Sequence, residues 1–494
     1  MSIKNYLVID FGASNGRVVI GRFDGKRFDI EVIHKFDNRP VFASATLYWD
    51  ILRLYSELEI GIMVACRKYN KVSSLSLDSW GLDFGLIDAN GKLTSNPVHY
   101  RDKGKDNTAF DRFFKKISKE DFFSLTGWVP ATAAPLFYLY LLRLRKAYEL
   151  ESAKKFLMIP DIFNYFLTGN ICNEFTIASN SLMLNWENKS WENKILENIG
   201  ISRDLFSDIV MPGTKIGNIS HNVSSRIEIK TIPVIASASH DTASAVAGIP
   251  ATIKGKNWAF VSMGTWFVVG IETGSPLINY DIVRYGFTNE GGAEGKSFLA
   301  KNVTGLWIVQ QCREKWIRDK GRDVSWDEIV NLSNQAEPFN SFINIDEPIF
   351  AQTQVDMPKV IFNYCKQKGE IIPQTIEEIS RCIYESLAME IRYYLELIEK
   401  LVQKKIELIY LISGGIQNKI LCQWISDITG IEVIAGPVEA TSVGNLLMQL
   451  KAAGEIRNLE EGREISLNSS EVIYYEPRDR DSCEDAYNRY LKVL

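Results

Sequence analysis

Three short runs in this 494-residue chain combine carboxylates, small residues and glycine in ways that could do chemistry. The first is Asp10 to Arg17, DFGASNGR, at the end of a strand-like run. Gly12 and Gly16 let backbone N–H groups approach an anion, Ser14 and Asn15 add polar side chains, and Arg17 can face phosphate charge. The glycine spacing is neither that of the P-loop nor that of the dinucleotide fingerprint, and a strand rather than a helix follows. A hairpin turn carrying a surface arginine accounts for the same residues.

The second run, residues 235 to 249, IASASHDTASAVAGI, places His240, Asp241 and Thr242 among small and apolar residues. Such surroundings solvate a carboxylate poorly and make it basic, so Asp241 is the best general-base candidate in the chain. A helix N-cap at Asp241 fits the pattern equally well, and His240 alone reads as a packed or hydrogen-bonding histidine. The third run, DSWGLDFGLID, sets Asp78, Trp80 and Asp83 around Gly81. It mixes an aromatic face with carboxylates as sugar sites do, though a core tryptophan and a turn aspartate also explain it. SMGTW (Ser262 to Trp266) and SGGIQN (Ser413 to Asn418) offer glycine backbone to a nucleotide, and Glu290 and Glu294 in NEGGAEG read as a loop around Gly291, Gly292 and Gly295 that could also reach a ligand edge.

The elements that must position these residues alternate strand and helix. Residues 6 to 23 read as a hairpin, and 258 to 271 repeat the design half a chain later, with Gly264 standing where Gly12 stood. Duplication and coincidence both remain open from this signal. Strand-like pieces at Ser74 to Leu77, Asp83 to Ile87 and Thr231 to Ala236, with a helical stretch at Phe137 to Leu150, point to α/β layering. From Ile376 to about Lys404 apolar residues recur every three or four positions, which predicts one long helix. The run AGIPATIKGKN, 246 to 257, suggests a boundary between a domain of residues 1–247 and one of 248–494.

Composition narrows the field. With 56 basic against 61 acidic residues there is no global positive field for nucleic acid, and no apolar stretch is long enough for a membrane span. The N-terminal run has no signal-peptide core, so a cytosolic protein is expected. Seven scattered cysteines and four scattered histidines argue against a disulfide framework or a zinc site, leaving an oxygen-ligated Mg²⁺ as the expected metal.

Taken in order, DFGASNGR, DSWGLDFGLID, YRD (Tyr100 to Asp102), SHDTASAV, NEGGAEG, KNVTGLW and AGPVEATSVGN resemble the FGGY carbohydrate kinases. The likeness is greatest to the branch that phosphorylates L-rhamnulose. The resemblance implies two RNase H-like, actin-like ATPase domains with a cleft between them, ATP and Mg²⁺ as cofactors, and a ketose phosphorylated at its 1-hydroxyl. It matches Asp241 to the catalytic base and puts Gly81, His240, Thr242 and Asn302 at the sugar. Ala13, Ser14, Asn15, Gly16, Arg17, Thr265, Gln310 and Gly414 fall on ATP-binding positions, and Asp10 on the acidic residue near Mg²⁺. The implied partners are a sugar and ATP, with no nucleic acid and no membrane. In WVPATAAPLFYL the chain departs from the branch, because Ala134 and Pro135 stand where a polar pair is expected. An actin-like ATPase without a sugar substrate is the reading from a different class, but it gives Asp241 no role.

Overall fold

The computed structural model describes residues 3–478 and 481–494. The chain folds into two compact units. Unit 1 comprises Met1–Thr252, Glu272–Leu299 and Ala440–Ser470; unit 2 comprises Ile253–Ile271, Ala300–Glu439 and Glu471–Leu494. The first unit therefore runs past the expected boundary at 247 to Thr252 and adds two further segments from the expected second domain. The reason is packing: the helix Ala440–Ala452 supplies Val443, Leu446, Leu447 and Leu450 to a core shared with Tyr6 and Val8.

In unit 1 the strands β1 (Lys4–Phe11), β2 (Asn15–Phe23), β3 (Phe28–Asp37), β4 (Ser74–Ser79), β5 (Lys215–Asn218) and β6 (Pro233–His240) form one sheet in the order β5-β6-β4-β1-β2-β3. β1 runs parallel to β4 and β4 to β6, while β2, β3 and β5 pair antiparallel with their neighbours. Because side chains alternate along a strand, the apolar run of β1 feeds two cores. Leu7, Ile9 and Phe11 meet Ile51, Leu54, Leu58 and Ile62 of the helix Ile51–Lys68, and Tyr6 and Val8 meet the helix Ala440–Ala452 on the other face.

Unit 2 contains β7 (Trp258–Met263), β8 (Trp266–Thr273, its last two residues in unit 1), β9 (Ser297–Thr304, beginning in unit 1), β10 (Leu408–Ile412), β11 (Glu432–Ala435) and β12 (Ile473–Tyr475). Their order is β9-β8-β7-β10-β11-β12, with β7-β8 antiparallel, β7-β10 and β10-β11 parallel, and β11-β12 antiparallel. Each hairpin and the three strands beyond its first strand keep the same order and directions in the two sheets, which supports duplication over coincidence.

The long helix runs Ile376–Val402 and opens on a capping box between Thr375 and Glu378. The expected helix 137–150 is shorter, Pro135–Arg145, since Lys146 turns left-handed at φ 50° and ends it. The C-terminal stretch, which carries no clear sequence pattern, contributes β12 and a helix at Asp481–Tyr490. No helix among the described residues is long and apolar enough to cross a membrane.

Candidate functional site

Parallel pairing aligns the carboxyl ends of β1, β4 and β6. Asp10 is the register partner of Asp78, and His240 that of Ser79. Asp10, Asp78 and Asp241 thus come together, close enough that Asp10 raises the pKa of both other carboxyls. Asp10 is answered by Arg17 across the β1-β2 hairpin, at 2.8 and 2.9 Å. Asp78 is fully buried. Burial first, then the charges of Asp10 and Asp241, push its carboxyl well above the usual range, and Asn445 Nδ2 donates to it at 2.6 Å.

Asp241 is not the helix cap. His240, in extended backbone, holds that position, and Asp241 is the first residue of the helix Asp241–Gly248. Its carboxylate accepts the Thr242 N–H at 2.6 Å and keeps 32% of its side-chain surface open. Burial raises its pKa most and Asp10 adds to this, while His240 and the Thr242 bonds oppose; the net shift is upward. A carboxylate so placed is a stronger base than a solvated one.

His240 lies between two carboxylates, Nε2 3.4 Å from Asp241 and Nδ1 3.2 Å from Glu290. Burial alone would lower its pKa; the Glu290 hydrogen bond and charge, with Asp241 and Glu174, outweigh that and raise it. Glu290 belongs to the strand Thr288–Gly291 and is buried, not part of the glycine loop that its sequence suggests. Asn180 Nδ2 reaches both His240 Nδ1 and Glu290, at 3.3 and 3.5 Å.

Beneath them Glu174, buried and raised by that burial to about 7, accepts from Thr176 Oγ1 and the Ser239 N–H, and Thr176 Oγ1 accepts the His240 N–H. The sequence marks neither Glu174 nor Asn180 with a motif; Asn445 ends the run AGPVEATSVGN without a role of its own, Asp78 has none either, and Glu290 is expected only at a loop within reach of a ligand edge. The signal for Asp78 was present, since it ends a strand two residues before Trp80–Gly81 much as Asp10 does before Gly12.

Gly81 follows β4. A Cβ there would lie 2.4 Å from Asn180 Oδ1 and 3.4 Å from His240 Nε2, so the backbone itself forms that wall. In Ala13–Arg17, Ser14 and Asn15 are exposed at the hairpin turn. Gly16 is required by packing, because a Cβ would strike the Phe36 ring at 2.3 Å. Asn38 fixes the turn through the Gly12 carbonyl at 2.8 Å.

Thr265, Gln310, Gly414 and Asn302 lie in unit 2. Thr265 joins β7 to β8, and its carbonyl accepts the N–H groups of Gly305 and Trp307. Gln310 is on the helix Trp307–Lys320, and Asn302 is an exposed residue of β9. Gly414 follows Ser413, whose φ of 73° and ψ of −179° belong to a region that glycine alone occupies readily. Ser413 Oγ and Ser262 Oγ are 3.0 Å apart, so β7 and β10 bring these two turns together at one end of their sheet.

Ala134 is fully buried and starts the helix Pro135–Arg145 without a side-chain cap, in an aromatic core with Phe113, Phe122 and Phe137. No cluster of His, Cys, Asp or Glu among the described residues could by itself hold a metal ion. No disulfide joins any of the seven cysteines, Cys365 and Cys382 included, among the described residues.

The comparisons with known proteins fit this geometry. The N-terminal domain model of the FGGY family of carbohydrate kinases matches residues 5–248, and its C-terminal domain model matches 259–453. A rhamnulokinase of Bacteroides thetaiotaomicron is 36% identical over 491 residues, covering 99% of each chain. One from Bacillus subtilis is 32% identical, covering 96% of each. Among solved structures, xylulose kinase from Lactobacillus acidophilus superposes with a TM-score of 0.82 at 14% identity, covering 99% of this chain and 97% of its own. Glycerol kinase from Plasmodium falciparum does so at 0.79 and 15%, covering 99% and 98%. At such identities these structures establish the fold alone.

Proposed function

Because this chain belongs to the FGGY family of carbohydrate kinases, we propose that it moves the γ-phosphoryl group of ATP to the primary 1-hydroxyl of L-rhamnulose, with Asp241 as the base. The observation that carries this reading is Asp241 itself, a partly open carboxylate made more basic by its surroundings. The acceptor is the sugar named by curated relatives that match this chain over nearly its whole length.

Phosphoryl transfer asks little covalent chemistry of a protein and much positioning. Asp241 takes the proton of the acceptor hydroxyl as its oxygen attacks in line. His240, held by Glu290 and Asn180, orients Asp241 and the sugar, with Gly81 and Thr242 beside them. Asn302 completes the proposed sugar contacts. Arg17 and the backbone of Ala13 to Gly16 would face the phosphates, and Thr265, Gln310 and Gly414 the rest of the nucleotide.

Mg²⁺, when bound, would neutralise charge on the phosphates. A hard cation of this kind keeps several waters and needs only one or two carboxylates beside phosphate oxygens. Asp10 is proposed for that part, at the sheet end it shares with Arg17 and Asp241, whereas Asp78 is fully buried. Cysteines that form no disulfide among the described residues suit a cytosolic setting.

ADP release with Mg-ATP across L-rhamnulose, L-fuculose, ribulose, xylulose and glycerol tests the proposal. Preference for L-rhamnulose is the expected result. Preference for another ketose would move the substrate and would point to Ala134 and Pro135, because missing polar groups change which hydroxyl pattern a site accepts. ADP release independent of any sugar would overturn the kinase mechanism.

A further inference from the structure

Phosphoryl transfer as described makes no use of a buried ion pair in unit 1. Lys105 Nζ lies 3.0 Å from Asp83 Oδ1, with the two side chains 3% and 0% exposed. The second Asp83 oxygen accepts the indole N–H of Trp49 at 2.6 Å and that of Trp80 at 3.2 Å. The ammonium also sits 4.6 Å from the centroid of the Tyr138 ring. Removing two charges from water costs more than an apolar pair of the same volume would, so stability alone gives little reason for the arrangement.

We propose that the Lys105–Asp83 pair is a positioning device for the acceptor sugar, tying the Trp80–Asp83 turn to the Tyr100–Lys105 loop and so fixing two segments beside Asp241. This rests on the assignment of Asp241 as the base at a sugar site. The turn carries Gly81, packed against Asn180 and His240, and it is strained, with Leu82 left-handed at φ 74°. A non-glycine residue keeps such a backbone only when its surroundings hold it there. Asp83 supplies that hold through three donors.

The loop is anchored at two points. Asp102 accepts the N–H groups of Leu47 and Gly104, at 2.6 and 2.8 Å, and Lys105 closes the far end on Asp83. Between these anchors and β4 runs a stack of rings: Trp80 on Trp49 at 4.1 Å, Trp49 on His99 at 4.2 Å, and His99 on Tyr100 at 4.4 Å. Tyr100 ends the stack within electrostatic reach of both carboxylates: burial raises its hydroxyl pKa and Arg101 opposes, while Asp83 and Asp241 add to the rise. Loosening the ion pair frees both the turn and the stack, and the sugar side of the reaction loses its geometry before the nucleotide side does.

The test is steady-state kinetics of Lys105→Met, Lys105→Arg and Asp83→Asn on purified full-length enzyme, with thermal melts beside them. Lys105→Met is expected to raise the acceptor KM about tenfold or more and to compress the preference among ketoses, because small misplacements near a reacting centre are costly. The KM for ATP should stay within about twofold, and Lys105→Arg should recover much of the loss. A fall in Tm with unchanged acceptor KM would reduce the pair to a structural brace and overturn the proposal. If Lys105→Met does not fold, unchanged acceptor KM in both Lys105→Arg and Asp83→Asn overturns it as well. A wild type that prefers a ketose other than L-rhamnulose overturns only the substrate assignment, since the comparison is then made on that ketose. A wild type that phosphorylates no sugar overturns both.

Discussion

Nδ1 of His240 lies 3.2 Å from a carboxylate oxygen of Glu290, and the Nε2 side of the same ring faces Asp241. The imidazole therefore links a buried carboxylate to the one proposed to act on the substrate, and its charge opposes the upward shift of Asp241. A group whose folded pKa is raised stabilises the fold fully below its unfolded value, near 6.5 for histidine, and loses that contribution as pH rises through the folded value. Glu290→Gln is expected to lower the His240 pKa and to cost most stability at acid pH, with the Tm gap to wild type closing as pH rises past neutrality. Melts across about pH 5.5 to 8.5 check this. A gap independent of pH would mean that the pair stays in one ionisation state.

Asp241→Asn removes the proposed base while keeping its shape. Turnover should fall by roughly 10² to 10⁴, with Tm and ATP affinity close to wild type. In the wild type the acid limb of kcat/KM should titrate above the ordinary aspartate value near 3.9, since the Asp241 carboxyl is shifted upward. A pH–rate profile together with the variant's kcat measures both, and a near-normal rate would remove Asp241 as base.

Asp78 is buried beside Asp10 and Asp241, and its Oδ1 has no hydrogen-bond partner among the described residues. A carboxyl whose folded pKa is raised favours the folded state below its unfolded pKa and loses that advantage as pH rises through the folded one. Asp78→Asn is already neutral, so it should fold and should gain Tm relative to wild type with increasing pH. Parallel melts of the two proteins between about pH 5 and 9 decide the point.

Gly444 and Gly248 let two helices of unit 1 touch backbone to backbone. A Cβ at Gly444 would lie 1.8 Å from the Ser244 carbonyl oxygen, and one at Gly248 2.3 Å from that of Ala440. Gly444→Ala should destabilise by about 3 kcal/mol or more, at the upper end for overpacking, because backbone cannot swing aside as a side chain can. Calorimetry should show a clear fall in the transition of unit 1; an unchanged thermogram would refute the close crossing.

Ser413 holds its backbone where only glycine is at ease. Ser413→Gly should relieve strain of about 1–3 kcal/mol, less the loss of the Ser262 contact, and so leave Tm equal or higher. If the strain serves nucleotide binding, the same variant should bind ATP more weakly, which titration calorimetry reads directly.

Much of this protein is legible from its sequence because much of it is local. The period of apolar residues set out the helix Ile376–Val402, the β-rich runs set out both hairpins, and the small, apolar surroundings of Asp241 marked it as the candidate base. The order of the short motifs carried the family. Tertiary structure decided what depends on distant partners. It took the helix Ala440–Ala452 into unit 1, because the second face of β1 needs an apolar cover that no neighbouring segment supplies. It made His240 rather than Asp241 the cap, turned Glu290 from a loop residue into a buried partner of His240, and joined Asp83 to Lys105. A carboxylate reads alike in sequence whether it ends in water, in an ion pair or beside a second carboxylate. What separates these outcomes is burial and the groups packed around it, and those are fixed only when strands far apart in the chain come into register.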